Sequence, residues 1–317
     1  MKRILLSLLF FILISWIGIL YYVHLKTDLA TSNINETTLK FSQGEYQYQP
    51  PISLVSYGAG DPIFLSNQIT LAESALNKGI QNIYMYGRQN IDPEFYAKNK
   101  HILDQPRGAG YWLWKPYFIL KTMNQLPDDS IILYADSGVI FSAPPADRLL
   151  DLLKENDMVF AGHGNPAKLR TLLKKEAQIL MGIDKNEKIL NSQEIWAYFI
   201  AIRNNVETRE FINKWLAYCE NIDILTDQPL DPNIQEEDFY AHLHDQSILS
   251  VLVAQNPEKK IVIKRYKFRK DYGLDNFHRH PQDKYTSPKF HSAGLQKKIA
   301  DFLYNNSFLR IIREKMN

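Results

Sequence analysis

Four short apolar segments separated by helix-length stretches constrain the fold of this 317-residue chain more than any other feature. They are ISLVSYG from Ile52, NIYMY at 82–86, IILYA at 131–135 and MVFAG at 158–162. Runs this short and this continuously apolar read as strands buried on both faces. After the first, Gly58-Ala59-Gly60 makes a turn and Asp61 stands as an N-cap before Pro62 at the first helical position. Leu65, Ile69, Ala72 and Leu76 then recur at helical spacing until Gly79 stops the run. Helices over 115–126 and from Pro144-Pro145 through Lys154 fill the next two gaps. Such alternation predicts βαβ units and an α/β fold with a mostly parallel central sheet flanked by helices.

The second half is more mixed. A helix is expected over 166–181, a strand from Ile195 to Arg203, and helices from Glu207 to Cys219 and Leu243 to Ala254. Residues 261–266 read as extended, and 295–317 as an amphipathic basic helix, packed on the domain or, as the lesser alternative, lying on a membrane surface.

Ile4 to Val23 carries no charge over twenty residues, which as a helix rises about 30 Å, the thickness of a bilayer's hydrocarbon. Lys2 and Arg3 precede it and Tyr21-Tyr22 sit at the interfacial level. The expected organisation is a cytosolic tail (1–3), a signal anchor in the lipid bilayer (4–23), a polar stem (24–50), a catalytic domain (51–294) and the terminal helix. That is a single-pass type II membrane protein. A domain held outside the cytosol in this way would stand in a Golgi-type lumen of the secretory pathway; a bacterial source would place the anchor in the inner membrane. A formal charge of +2 argues against nucleic acid as a partner, and a single cysteine, Cys219, excludes an intrachain disulfide.

Chemistry concentrates in Arg107–Pro116, RGAGYWLWKP. Gly108 and Gly110 permit backbone shapes closed to other residues. Arg107 and Lys115 are cations able to neutralise a diphosphate, and Tyr111, Trp112 and Trp114 offer faces for a sugar or base, with at least one of the tryptophans expected in the core. Pro116 opens a helix whose positive end is free for an anion. Asp136 ends the strand IILYA, where ligands of open α/β sheets bind, and can coordinate Mg²⁺ or Mn²⁺ or simply open a turn. In HLHDQSILSVL, Asp245 and Gln246 begin a helix; Asp245 is either an N-cap or a site carboxylate, with His242 and His244 as supporting or acceptor contacts.

The block GAGYWLWKP followed by a strand ending in an acid resembles a group of GT-A-type glycosyltransferases. The resemblance implies a GT-A-like, Rossmann-like sheet, a nucleotide-diphosphate-sugar donor, and a glycan, glycoprotein or glycolipid acceptor. In that group an Asp-x-Asp triplet holds a divalent cation (Mn or Mg); here the triplet is Asp136-Ser137-Gly138, so one acid remains. The resemblance further implies donor contacts from Tyr57, Arg107, Gly108, Gly110, Trp112, Trp114, Lys115 and Gln246. Catalytic roles fall to Asp136, Asp245 and Lys115, and metal ligation to Asp136 and the late His291. Two rivals stand beside it: a glycan hydrolase using Asp136 and Asp245 as paired carboxylates, and a carbohydrate-binding protein with a decayed site.

Overall fold

The computed structural model describes residues 14–19, 39–40, 51–76, 78–144, 146–162, 166–257, 260–264 and 274–276. His291, the stem apart from 39–40, most of the expected anchor and the C-terminal helix lie outside them. Residues 14–19 are helical, and among the described residues no helix is long and apolar enough to cross a membrane.

Nine strands are described: β1 (Leu39–Lys40), β2 (Ile52–Tyr57), β3 (Asn82–Tyr86), β4 (Ile131–Ala135), β5 (Val139–Phe141), β6 (Met158–Ala161), β7 (Trp196–Arg203), β8 (Ile261–Lys264) and β9 (Leu274–Asn276). Seven form one sheet in the order β1-β3-β2-β4-β7-β6-β8; β5 and β9 pair separately. β2 runs parallel to β3 and β4, and β6 parallel to β8. β7 is antiparallel to both its neighbours, which departs from a simple βαβ series. β7 therefore starts where β4 ends, and the Asp136 amide donates to the Tyr198 carbonyl at 2.8 Å.

Six longer helices pack on the sheet: α1 (Pro62–Ala75), α2 (Pro93–Leu103), α3 (Trp114–Gln125), α4 (Ala146–Glu155), α5 (Val206–Cys219) and α6 (His244–Gln255). The α1 start is as its sequence signals: Asp61 accepts from the Ile63 amide at 2.9 Å. Strand residues alternate between two apolar layers. Ile132 and Tyr134 of β4 face α3, α5 and α6; Ile131, Leu133 and Ala135 face α1 and α4. The expected helix over 166–181 is instead two short ones, Leu169–Leu172 and Lys175–Leu180. Leu173 and Lys174 between them take extended conformations, and the buried Lys174 ammonium donates to the Thr226 carbonyl at 2.7 Å. That bond outcompetes helix continuity at the break.

Candidate active site

Three elements bring charge together beyond the carboxyl end of β4. Lys115 lies in the first turn of α3, Asp136 directly follows β4, and Asp245 sits in the first turn of α6. The Lys115 ammonium is 2.9 Å from Asp245 Oδ2 and 3.4 Å from Asp136 Oδ1, and donates to the Ala197 carbonyl at 3.3 Å. An ammonium has three protons, and here it meets three acceptors. Burial by itself lowers the Lys115 pKa, but the charges of Asp136 and Asp245 outweigh it and hold the group as an ammonium. Burial pushes the Asp245 carboxyl up to about 6 against the pull of Lys115. Asp136 is the solvent-facing member: its side chain is 31% exposed, against 6% for Asp245. Tyr134 donates its hydroxyl to Asp136 Oδ1.

Asp245 is not an N-cap. Leu243 holds that position without a side-chain cap, His244 begins the helix at a φ of 54°, and the Asp245 carboxylate turns toward Lys115. Trp215 Nε1 donates to the Asp245 carbonyl at 3.0 Å, fixing the helix start from α5. Gln246 braces the other wall: its Oε1 accepts from the Ala197 amide at 3.2 Å and its Nε2 donates to Glu194 at 3.2 Å.

The glycine block has an unusual backbone. Gly108, Ala109, Gly110, Tyr111 and Trp112 all have positive φ, at 56°, 51°, 102°, 52° and 60°. Amides of Tyr111 and Trp112 bond back to the carbonyls of Arg107 and Gly108 at 2.8 and 3.3 Å, closing a left-handed helical turn. Such a conformation costs roughly 1–2 kcal/mol for each non-glycine residue, so Ala109, Tyr111 and Trp112 store strain. At Gly110 a Cβ would lie 2.8 Å from the Leu103 Cα, so the glycine serves helix–turn packing. At Gly108 it would lie 2.5 Å from the Trp112 ring.

These constraints sort the aromatic residues. Trp114 is buried, stacks on Tyr57 with centroids 4.1 Å apart, and donates its Nε1 to the Gly108 carbonyl at 2.8 Å. Both rings are therefore core, and the expectation that Tyr57 and Trp114 present faces to a donor is corrected: each ring's apolar surface is spent on the other and, for Tyr57, on Phe118. Trp112 remains half-buried at the cleft, covered by the nearly parallel His244 imidazole at 5.2 Å. Pro116 sits in the first turn of α3, where its missing N–H costs nothing, but it is buried.

A cleft of ≈ 260 Å³ lies over this arrangement, lined by Arg107, Trp112, Lys115, Asp136, Tyr198, His242, Leu243, His244, Asp245 and Gln246. It unites Arg107, Trp112, Lys115, Asp136, Asp245 and Gln246, which the sequence singles out across 140 residues. His242 Nε2 and His244 Nδ1 each lie 2.9 Å from a backbone carbonyl, of Ile224 and Leu225. Carbonyls only accept, so those nitrogens carry the protons and His242 Nδ1 and His244 Nε2 are bare. Burial holds both imidazoles below their ordinary pKa and so neutral.

Tyr198 and Asp227 escape sequence reasoning. Asp227 Oδ2 accepts from Arg107 at 2.9 Å and from the Tyr111 hydroxyl at 2.8 Å, a pairing across more than a hundred residues that no local pattern announces. Among the described residues no group of three or more His, Cys, Asp or Glu is placed to hold a metal ion. Asp136 alone fits a divalent cation of the kind that takes one carboxylate plus substrate phosphates and water, since its carboxylate is partly exposed in the cleft.

No protein-family model matches the chain, and no curated protein matches it. Solved structures do resemble it. Mouse xyloside xylosyltransferase 1 in its apo form is 9% identical, covering 76% of this chain and 79% of its own, with a TM-score of 0.39. The glycosyltransferase GlyE of Streptococcus pneumoniae TIGR4 is 15% identical over 84% of this chain and 62% of its own, with a TM-score of 0.38. The galactosyltransferase LgtC, solved with donor and acceptor sugar analogues, is 14% identical over 67% and 72%, with a TM-score of 0.35. At such identity and superposition the chemistry rests on the chain's own residues.

Proposed function

We propose that the chain is a glycosyltransferase that moves a sugar from a nucleotide-diphosphate donor to a hydroxyl of a glycan or glycoconjugate. The observation that carries this reading is the buried Lys115 ammonium clamped between Asp136 and Asp245 at the floor of the cleft. Sugar transfer from such a donor releases a diphosphate, whose developing negative charge needs fixed positive charge close by. Arg107 in the lining supplies it, and Lys115 on the floor offsets the two carboxylates that would otherwise repel the diphosphate. Asp245 keeps Lys115 charged and oriented, and Asp136 presents its free edge to the ligand. Trp112 borders the sugar with the part of its indole that His244 leaves uncovered. A divalent cation held by Asp136 would neutralise diphosphate oxygens when bound.

The hydrolase rival needs a sugar between two carboxylates. Here the Lys115 ammonium fills the space between Asp136 and Asp245, which argues against it. Membrane anchoring through 4–23, in type II orientation with the domain in a secretory lumen, is part of the proposal and rests on the apolar run alone.

The test is turnover across a panel of nucleotide sugars with simple glycan acceptors, with and without Mn²⁺. Product formation with at least one donor, lost in Asp136→Asn, is the expected result. Donor binding without turnover would instead favour a binding protein, and no binding of any donor would sink the reading.

A further inference from the structure

Asp227 occupies a place that an anionic ligand would be expected to take. Its Oδ2 accepts from Arg107 Nη1 at 2.9 Å and from the Tyr111 hydroxyl at 2.8 Å. Tyr111 belongs to the left-handed turn and Arg107 directly precedes it, and Arg107 lines the cleft that holds Lys115. A guanidinium and a phenol converging on one oxygen are the donors that bind a phosphate oxygen equally well.

The grip on Asp227 is built to be exchangeable. The Arg107 and Asp227 side chains are 55% and 36% exposed, and ion pairs so open to water are weak. On the other side, Asp227 Oδ1 lies 3.8 Å from His244 Nε2, a buried atom with no hydrogen-bond partner. With the His244 proton committed to the Leu225 carbonyl, these two facing atoms are both acceptors, a mismatch that disfavours the arrangement. The chain just before Asp227 is firmly held: the Thr226 carbonyl accepts from the buried Lys174 ammonium at 2.7 Å. Asp227 can therefore leave by a side-chain and loop movement beyond a fixed point.

We propose that Arg107 and Tyr111 form a phosphate subsite of the cleft, and that Asp227 fills it in the free protein until the donor's diphosphate displaces it. The proposal rests on the nucleotide-sugar reading above and adds to it an internal competitor. Tyr111 becomes a ligand-binding residue, and Asp227 a carboxylate that weakens donor binding in the resting state.

Calorimetric titration of the full-length chain with inorganic pyrophosphate and with uridine diphosphate, in Mg²⁺, tests this. Asp227→Asn is expected to bind either probe at least about fivefold more tightly than the wild type, an effect of removing a competing charge. The gain is expected to vanish in the Arg107→Met, Asp227→Asn double variant, which separates exchange at Arg107 from a general change in charge. Should Asp227→Asn lower the melting temperature markedly, Asp227→Ser provides the same comparison. Equal or weaker binding by a folded Asp227 variant, while the wild type binds, would show the carboxylate to be a brace and overturn the subsite but leave the donor reading intact. Absence of binding in wild type and variants alike would overturn both.

Discussion

Lys115 and Asp245 form a buried ion pair, with Nζ 2.9 Å from Oδ2 and side chains only 4% and 6% exposed. A pair this deep is poor evidence of net stabilisation, because two ions lose their hydration to form it. Removing one partner is a different matter, since the other is left charged in a dry site. Lys115→Met is therefore expected to destabilise the fold by about 3–5 kcal/mol and to abolish transfer. Urea denaturation checks the first and the donor panel the second. Loss of activity at unchanged stability would mean that the ammonium serves only the ligand.

The same pair gives a pH dependence with a definite sign. Burial raises Asp245 from 3.8 to about 6, so between those values the folded chain keeps a proton that the unfolded chain releases. Stability supplied by the neutral carboxyl is present below about pH 4 and is lost as pH rises to about 6, with little further change above. The loss is on the order of 2–3 kcal/mol, being two pK units. Unfolding free energies measured from pH 4 to 7 should show this slope in the wild type and lack it in Asp245→Asn. Equal slopes in the two proteins would refute the assignment.

Much of this arrangement is legible in the chain before folding. ISLVSY, NIYMY, IILYA and MVFA are strands because continuous apolar runs between helix-length segments have few other uses, and Asp61-Pro62 marks its helix start locally. Lys115, Asp136 and Asp245 stand out by residue type and position after strands or turns. Their convergence on one ammonium does not, because it depends on β7 reversing direction and bringing the Ala197 carbonyl beside the end of β4. The resemblance makes Tyr57 a donor contact, but at the end of β2 its ring faces the same layer as α3 and packs on Trp114. The break at Leu173-Lys174 was equally hidden, since it is dictated by Thr226, distant in sequence.

The two tryptophans of the block should separate cleanly on mutation. Trp114 is 6% exposed and supports Tyr57, so Trp114→Ala is expected to cost about 3–5 kcal/mol by leaving a cavity. Trp112 is half-buried at the cleft, and Trp112→Phe should leave stability within about 1 kcal/mol while raising KM for donor or acceptor severalfold. Thermal denaturation and steady-state kinetics on both variants distinguish them. A Trp112→Phe enzyme with unchanged KM and lowered stability would return that residue to the core.

The left-handed turn offers the sharpest conformational test. Ala109 has φ 51° where glycine pays no steric penalty, so Ala109→Gly should be neutral to stabilising by up to about 1 kcal/mol, against the usual cost of inserting a glycine. Gly110→Ala should do the opposite: φ is 102° and the new Cβ would lie 2.8 Å from the Leu103 Cα, a backbone atom that cannot step aside cheaply. Strain and overlap together predict a loss of at least about 2 kcal/mol and displacement of Arg107, Trp112 and Lys115. Chemical denaturation reads the stability, and pyrophosphate titration reads the site. Tolerance of Gly110→Ala with full affinity would show that the turn adapts, and that its left-handed form is not what positions the cations.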